Sequence, residues 1–192
     1  TFSTAADDES HNIAIGNSAL GSAKQDGTAS STNREIKRNI AIGEDALAGG
    51  TLTGTNHLES NIAIGYQAMD ATGANQQIGT IAIGTSALGA LTSGSGNLAV
   101  GYLSGKNVTT GADNVGMGEK TIGGSSSTAI TGDGNTALGW LAGTNLEGSA
   151  HENTLVGKKA GHDMTTAEDN VAVGMNSGDS ITTGNQNTLI GA

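Results

Sequence analysis

Residues 61–69 read Asn-Ile-Ala-Ile-Gly-Tyr-Gln-Ala-Met, and the first five of them form a phrase found ten times along the chain. The same five residues start at Asn12 and Asn39, and Thr-Ile-Ala-Ile-Gly starts at Thr80. Variants start at Asn97, Asn114, Asn135, Asn153, Asn170 and Asn187. The steps between starts are 27, 22, 19, 17, 17, 21, 18, 17 and 17 residues, so the base period is 17 and the longer steps carry insertions. A repeat of this length points to a stacked architecture in which each copy is one structural unit.

The columns of the repeat are strict. The fifth position is glycine in every copy: Gly16, Gly43, Gly65, Gly84, Gly101, Gly118, Gly139, Gly157, Gly174 and Gly191. The fourth is aliphatic or Met throughout, and the second is Ile, Leu or Val except for Thr136, Thr154 and Thr188. The third is Ala except at Gly116, Leu155 and Leu189. The eighth is always small, as at Ala46, Ser104 and Thr121. Several copies add a second phrase, such as Val108-Thr109-Thr110-Gly111.

Alternation with period two makes the phrase a strand, with positions two and four on one face and position three on the other. The glycine after it reads as a corner where a positive φ is expected. The Thr-Thr phrase supplies a second short β segment. Two segments and two corners per turn predict an all-β, parallel β-solenoid of about ten coils of ~17 residues, stacked about 4.8 Å apart. The repeat domain is expected over 12–192, after a lead-in at 1–11. Stacking also predicts an Asn ladder at position one, each amide bonding its neighbours above and below.

Both faces of the strand are apolar, large at positions two and four and small at position three. A coil this short has a thin core, and thin cores need support. The Ala column is expected as a smooth stripe that a partner chain covers, since exposed apolar stripes mark interfaces. Closed rotational symmetry is the usual way to bury such a stripe, and a coaxial homotrimer is expected. Which of the two apolar faces looks at the partner chains stays open at this level. The insertions all follow position eight, which places them away from the strand.

Composition narrows the function. Cysteine is absent, so there is no disulfide framework and no thiolate metal site. The net charge of −10 speaks against a phosphate-binding nucleic-acid interface. No apolar stretch is long enough to span a membrane. The chain opens on Thr1 and is expected to be a piece of a longer protein.

The phrases at 12–20 and 61–69 resemble the head repeats of trimeric autotransporter adhesins, and still more the Asn-x-Ala-Ile-Gly repeats of phage tail-fibre and bacterial surface proteins. The resemblance extends over 12–192. It implies a left-handed parallel β-roll, three chains and a role in attachment. The adhesin repeat is shorter and more regular than the one here.

Candidate chemistry is sparse. The four histidines, His11, His57, His151 and His162, are scattered along the repeat, so a catalytic triad or a His-rich metal site is not expected. Glu59, Asp113, Asp133, Glu152, Glu168 and Asp169 gather just before the Asn position. They read either as a solvated acidic edge or as a Ca²⁺-binding edge. Tyr66, Tyr102 and Trp140 share position six, just past the corner, and suit ring stacking on a sugar or packing on a neighbouring chain. Lys24, Arg34, Lys37 and Arg38 lie in the first long insertion, and Arg34, Lys37 and Arg38 suit an anionic glycan. The expected function is a non-enzymatic structural and attachment segment of an extracellular fibre, on a virion tail or a bacterial surface. Its partner would be a surface glycan or protein receptor. The alternatives are an ice-binding solenoid, which the Thr-Thr phrases would serve, and a carbohydrate-active tailspike.

Overall fold

A computed structural model describes residues 11–21, 24–25, 36–52, 56–73, 75–125 and 127–191. Residues 1–10 of the lead-in and Arg34 lie outside the described residues. Among those described there is no helix. The ten phrases become ten three-residue strands: Ile13–Ile15, Ile40–Ile42, Ile62–Ile64, Ile81–Ile83, Leu98–Val100, Val115–Met117, Thr136–Leu138, Thr154–Val156, Val171–Val173 and Thr188–Ile190. They form one parallel sheet in chain order. Each position pairs with the same position of the next strand, as Ala63 with Ala82 and Leu98 with Val115. The chain between them winds a solenoid of about eight turns. Its other side is paired more briefly. Ile36–Lys37, Leu58–Glu59 and Gln77–Ile78 make a small parallel sheet, and isolated bridges join Val108, Ile130 and Gly148.

The sheet faces the opposite way from the expected exposed Ala stripe. Ala41, Ala63, Ala82, Ala99, Ala137, Leu155 and Ala172 at position three are buried in the interior. The larger side chains at positions two and four point outward and are half-buried at best. Volume explains the choice. Position nine, as at Leu47, Met69, Leu88 and Ile122, and the second phrase, as at Leu91, Val108, Leu146 and Met164, already send large side chains inward. Only a methyl group fits opposite them. Where position nine is Gly143 and Gly161, position three grows to Leu155. A Cβ on Gly143 would lie 2.8 Å from Leu155 Cδ1, and one on Gly161 would lie 2.7 Å from Leu155 Cδ2. Gly116 is the converse case. The hydroxyls of Ser104 and Thr121, 2.7 Å apart, crowd the space its Cβ would take.

Whole turns pair with their neighbours, corners included. The phrase glycine has φ between +128° and +136° in all ten copies. Three further columns adopt the left-handed region with ordinary residues. These are position seven (Ser86, Lys120, Leu141), position nine (Leu47, Leu88, Ile122) and the residue before the Asn (Arg38, Asp113, Asp169). All the non-glycine residues with positive φ fall in these columns. A left-handed residue with a side chain is disfavoured unless its surroundings hold it. Most are held by a bond to the adjacent turn, as Lys159 N–H to the Trp140 carbonyl (2.9 Å), Leu88 N–H to the Ser104 carbonyl (3.0 Å) and Asp113 N–H to the Ser95 carbonyl (3.1 Å).

The Asn column forms the expected ladder. Asn39, Asn61, Asn114, Asn135, Asn153 and Asn170 are buried, and each side-chain amide donates to the Asn Oδ1 of the preceding turn at 2.9–3.2 Å. The Thr of the second phrase staples turns as well. Thr92, Thr109, Thr131 and Thr165 each donate a hydroxyl to a carbonyl of the next turn at 3.0–3.1 Å.

One interior position is poorly matched. Gln77 stands in the column of Ile36 and Leu58, is fully buried, and has no partner for either polar atom of its amide. Unpaired buried amide groups destabilise, whereas an apolar side chain of similar size does not. Gln77→Leu is expected to raise stability by about 1–2 kcal/mol. A thermal melt with an unchanged or lower midpoint would contradict this.

Candidate functional site

The outer face of the long sheet carries no charged side chain. Across ten strands its two outward positions hold only aliphatic residues, Met117 and three threonines. Met117 and Val171 are 45% and 37% exposed, and the corresponding side chains of the other inner strands are half-buried. No insertion interrupts this face, because every longer step adds its residues beyond position eight. A sheet face meeting only water ordinarily carries polar side chains. The absence of charge over so many successive rungs sets this face apart from its two charged borders.

Two exposed columns border the face. On one side stands the residue before the Asn, on the other position six. Tyr66, Tyr102 and Trp140 all stand at position six and all are exposed. They alternate with Thr85 and Glu119, so the rings do not stack on one another directly. Trp140 is already engaged. The ammonium groups of Lys158 and Lys159, from the next turn, lie 5.1 and 5.8 Å from its ring centroid. This is cation–π distance, and it removes part of the ring as a platform for a sugar.

Of the basic residues of the first insertion, Arg34 and the side chain of Lys24 lie outside the described residues, and Lys37 and Arg38 are not free cations. Arg38 is exposed, but its guanidinium pairs with Glu59 and its Nε donates to Ser60 Oγ at 3.3 Å. Lys37 is half-buried in a strand beside it. Of the expected ligand residues, Tyr66, Tyr102 and Trp140 thus share one edge, while Lys37 and Arg38 lie on the opposite one.

The acidic residues do gather on successive turns. Asp113, Asp133, Glu152 and His151 line a shallow hollow of about 400 Å³. Asp133 Oδ1 accepts the Ala112 N–H at 2.7 Å, so part of its charge is spent on the backbone. Among the described residues no group of three or more His, Asp or Glu side chains is placed to hold a metal ion. The edge gives no support to the Ca²⁺ alternative.

His151 reports on this edge. Its pKa is raised, first by the hydrogen bond of Nδ1 with the Ser149 carbonyl (2.9 Å), then by the carboxylates of Glu168, Glu152 and Asp169. Glu168 is the nearest, 3.8 Å away. A raised folded pKa means that the charged form is favoured in the folded chain. Its small contribution is complete below the pKa of the unfolded imidazole and is lost as pH rises through the folded one. An NMR titration should therefore find a midpoint above the ordinary value near 6.5, and Glu168→Gln should lower it. A midpoint at or below the ordinary value would contradict the geometry.

In the second phrases, Thr92, Thr109 and Thr165 spend their hydroxyl protons on the next turn, while Thr110 and Thr166 beside them are exposed. No helix among the described residues is long and apolar enough to cross a membrane. No family model, curated protein or solved structure matches the chain.

Proposed function

We propose that this chain is a non-enzymatic structural and attachment segment of an extracellular fibre, assembled coaxially from three copies. The fibre belongs to a virion tail or a bacterial surface, and its targets are a surface glycan or a protein receptor. The observation that carries this reading is the charge-free aliphatic face, left half-open by a single chain and kept clear of every insertion. Burying such a face is worth roughly 25 cal/mol per Å² of apolar surface, which gives self-association its driving force. The solenoid itself supports the reading, because repetitive rods serve as spacers and as carriers of decorated edges. Tyr66 and Tyr102 are the decorations best placed for a saccharide ring, being exposed at the rim.

Mass in solution tests the assembly. Light scattering at micromolar concentration is expected to give three copies. Ile81→Asp with Ile83→Asp should abolish association, because it places charge where the face must lose water. A wild-type chain that stays folded and monomeric would refute the assembly. Attachment is tested separately: Tyr66→Ala with Tyr102→Ala should reduce binding on a glycan array or to whole cells.

A further inference from the structure

The two borders of the apolar face carry opposite charge within the same turn. Around the strand Thr154–Val156, the acidic side has Glu152, with Asp133 a turn before and Asp169 a turn after. The other side has Lys158 and Lys159. Around the strand Ile40–Ile42 the signs are reversed, with Lys37 and Arg38 before it and Glu44 and Asp45 after it. Glu152, Lys158 and Asp169 are exposed, and Lys159 is partly so. Among the described residues neither lysine forms an ion pair; both lean on Trp140.

These groups do not meet within one chain. Glu152 and Lys158 stand on opposite sides of the strand Thr154–Val156, six residues apart and so at most about 20 Å at strand rise. Opposite charges kept apart by an apolar face become neighbours when a second copy is generated by rotation about the long axis of the rod. That operation places the acidic border of one copy beside the basic border of the next, turn against turn. An antiparallel pair would instead set the basic border against the same border of the other copy, with its turns in reverse order. Lys158 and Lys159 would then approach Glu44 and Asp45.

We propose that Glu152 and Asp169 of one chain pair with Lys158 and Lys159 of the next, and that these rim contacts fix a parallel, in-register assembly around the aliphatic face. The occupant of the face is a second copy of this chain. The inference rests on the self-association proposed above and adds its direction and register. The aliphatic columns cannot set the register themselves, because each rung resembles the next and a slip of one turn hides the same area. Charge at a few defined turns breaks that degeneracy, and rim charges contribute more to register and partner choice than to raw affinity.

Zero-length carbodiimide cross-linking of the native chain, with peptide mapping, tests this. An amide between Lys158 or Lys159 and Glu152 or Asp169 is the expected product. It must join two chains, since the sheet width forbids it within one. Lys158→Glu with Lys159→Glu should weaken association on the order of tenfold at low salt, with the circular dichroism of the solenoid unchanged. Adding Glu152→Lys and Asp169→Lys should restore it. Cross-links to Glu44 or Asp45 would overturn the parallel arrangement. A full-sized assembly indifferent to the lysine reversal, and lacking the amide, would overturn the pairing while leaving the apolar face intact. A wild-type monomer would instead remove the self-association beneath both.

Discussion

Asn135→Ala is expected to lower stability by about 3–5 kcal/mol, among the largest effects of a single side-chain deletion in this chain. Asn135 is fully buried and serves two neighbours at once. Its Nδ2 donates to Asn114 Oδ1 (3.0 Å) and to the Ala150 carbonyl (2.8 Å). Its Oδ1 accepts from the Asn153 backbone N–H (3.3 Å) and from Asn153 Nδ2 (2.9 Å). Truncation leaves the Ala150 carbonyl and the Asn153 N–H without partners in a place water does not reach, and takes from Asn153 Nδ2 one of its acceptors, the His151 and Ala167 carbonyls remaining. Each such group costs about 1–3 kcal/mol. Aspartate would not repair it, because it has no proton for Asn114 or for Ala150. The chain contains its own comparison. Thr80 interrupts the ladder, its N–H still reaches Asn61 Oδ1 at 3.0 Å, and its buried hydroxyl has no partner. Thr80→Asn should therefore stabilise, by about 1 kcal/mol. Urea denaturation measures both changes. A loss under 1 kcal/mol at Asn135 would mean that the ladder decorates the stack rather than coupling its turns.

The architecture was legible because stacking writes one physical constraint into a column of ten residues. The phrase glycines, the Asn ladder and the period all survive the passage from sequence to structure. What alternation leaves open is its sign. A period of two says that Ala82 faces away from Ile81 and Ile83, and not which of them looks inward. The information that settles it lies outside the phrase, in the volumes at position nine. Leu155 replaces Ala where Gly143 and Gly161 leave room, a compensation that makes sense only inside a shared core. The left-handed columns left less trace. Lys120, Leu141 and Ile122 have no chemical preference for positive φ and are held there by bonds to adjacent turns, which no local signature reveals. At the rim, the exposure of Tyr66, Tyr102 and Trp140 followed from their place beside the corner. The capture of Trp140 by Lys158 and Lys159 depended on which residues share adjacent turns 18 and 19 positions apart.

Gly101→Ala is expected to cost about 3 kcal/mol or more, and Gly191→Ala much less, although the two backbones are alike. Their φ angles are +135° and +133°, in a region that side chains avoid, so the conformational strain is shared and amounts to about 1–3 kcal/mol. The difference lies in what the new methyl group meets. At Gly101 it would collide with the Gly118 carbonyl oxygen and stand 2.6 Å from its carbon. These are backbone atoms of the next turn, fixed by the bond from Gly118 N–H to the Val100 carbonyl at 2.8 Å. Relief requires the two turns to part, and parting them strains every column that crosses the gap. At Gly191, just past the strand Thr188–Ile190 and with no further turn among the described residues, the same methyl group meets nothing within 4 Å. The pair therefore separates strain from contact using one substitution at one dihedral angle. Denaturant midpoints for the two variants, at equal m-value, give the comparison directly. Equal losses would show that the corner selects glycine for its φ alone. A larger loss at Gly101 would show that glycine is kept there chiefly because successive turns approach closer than any side chain permits.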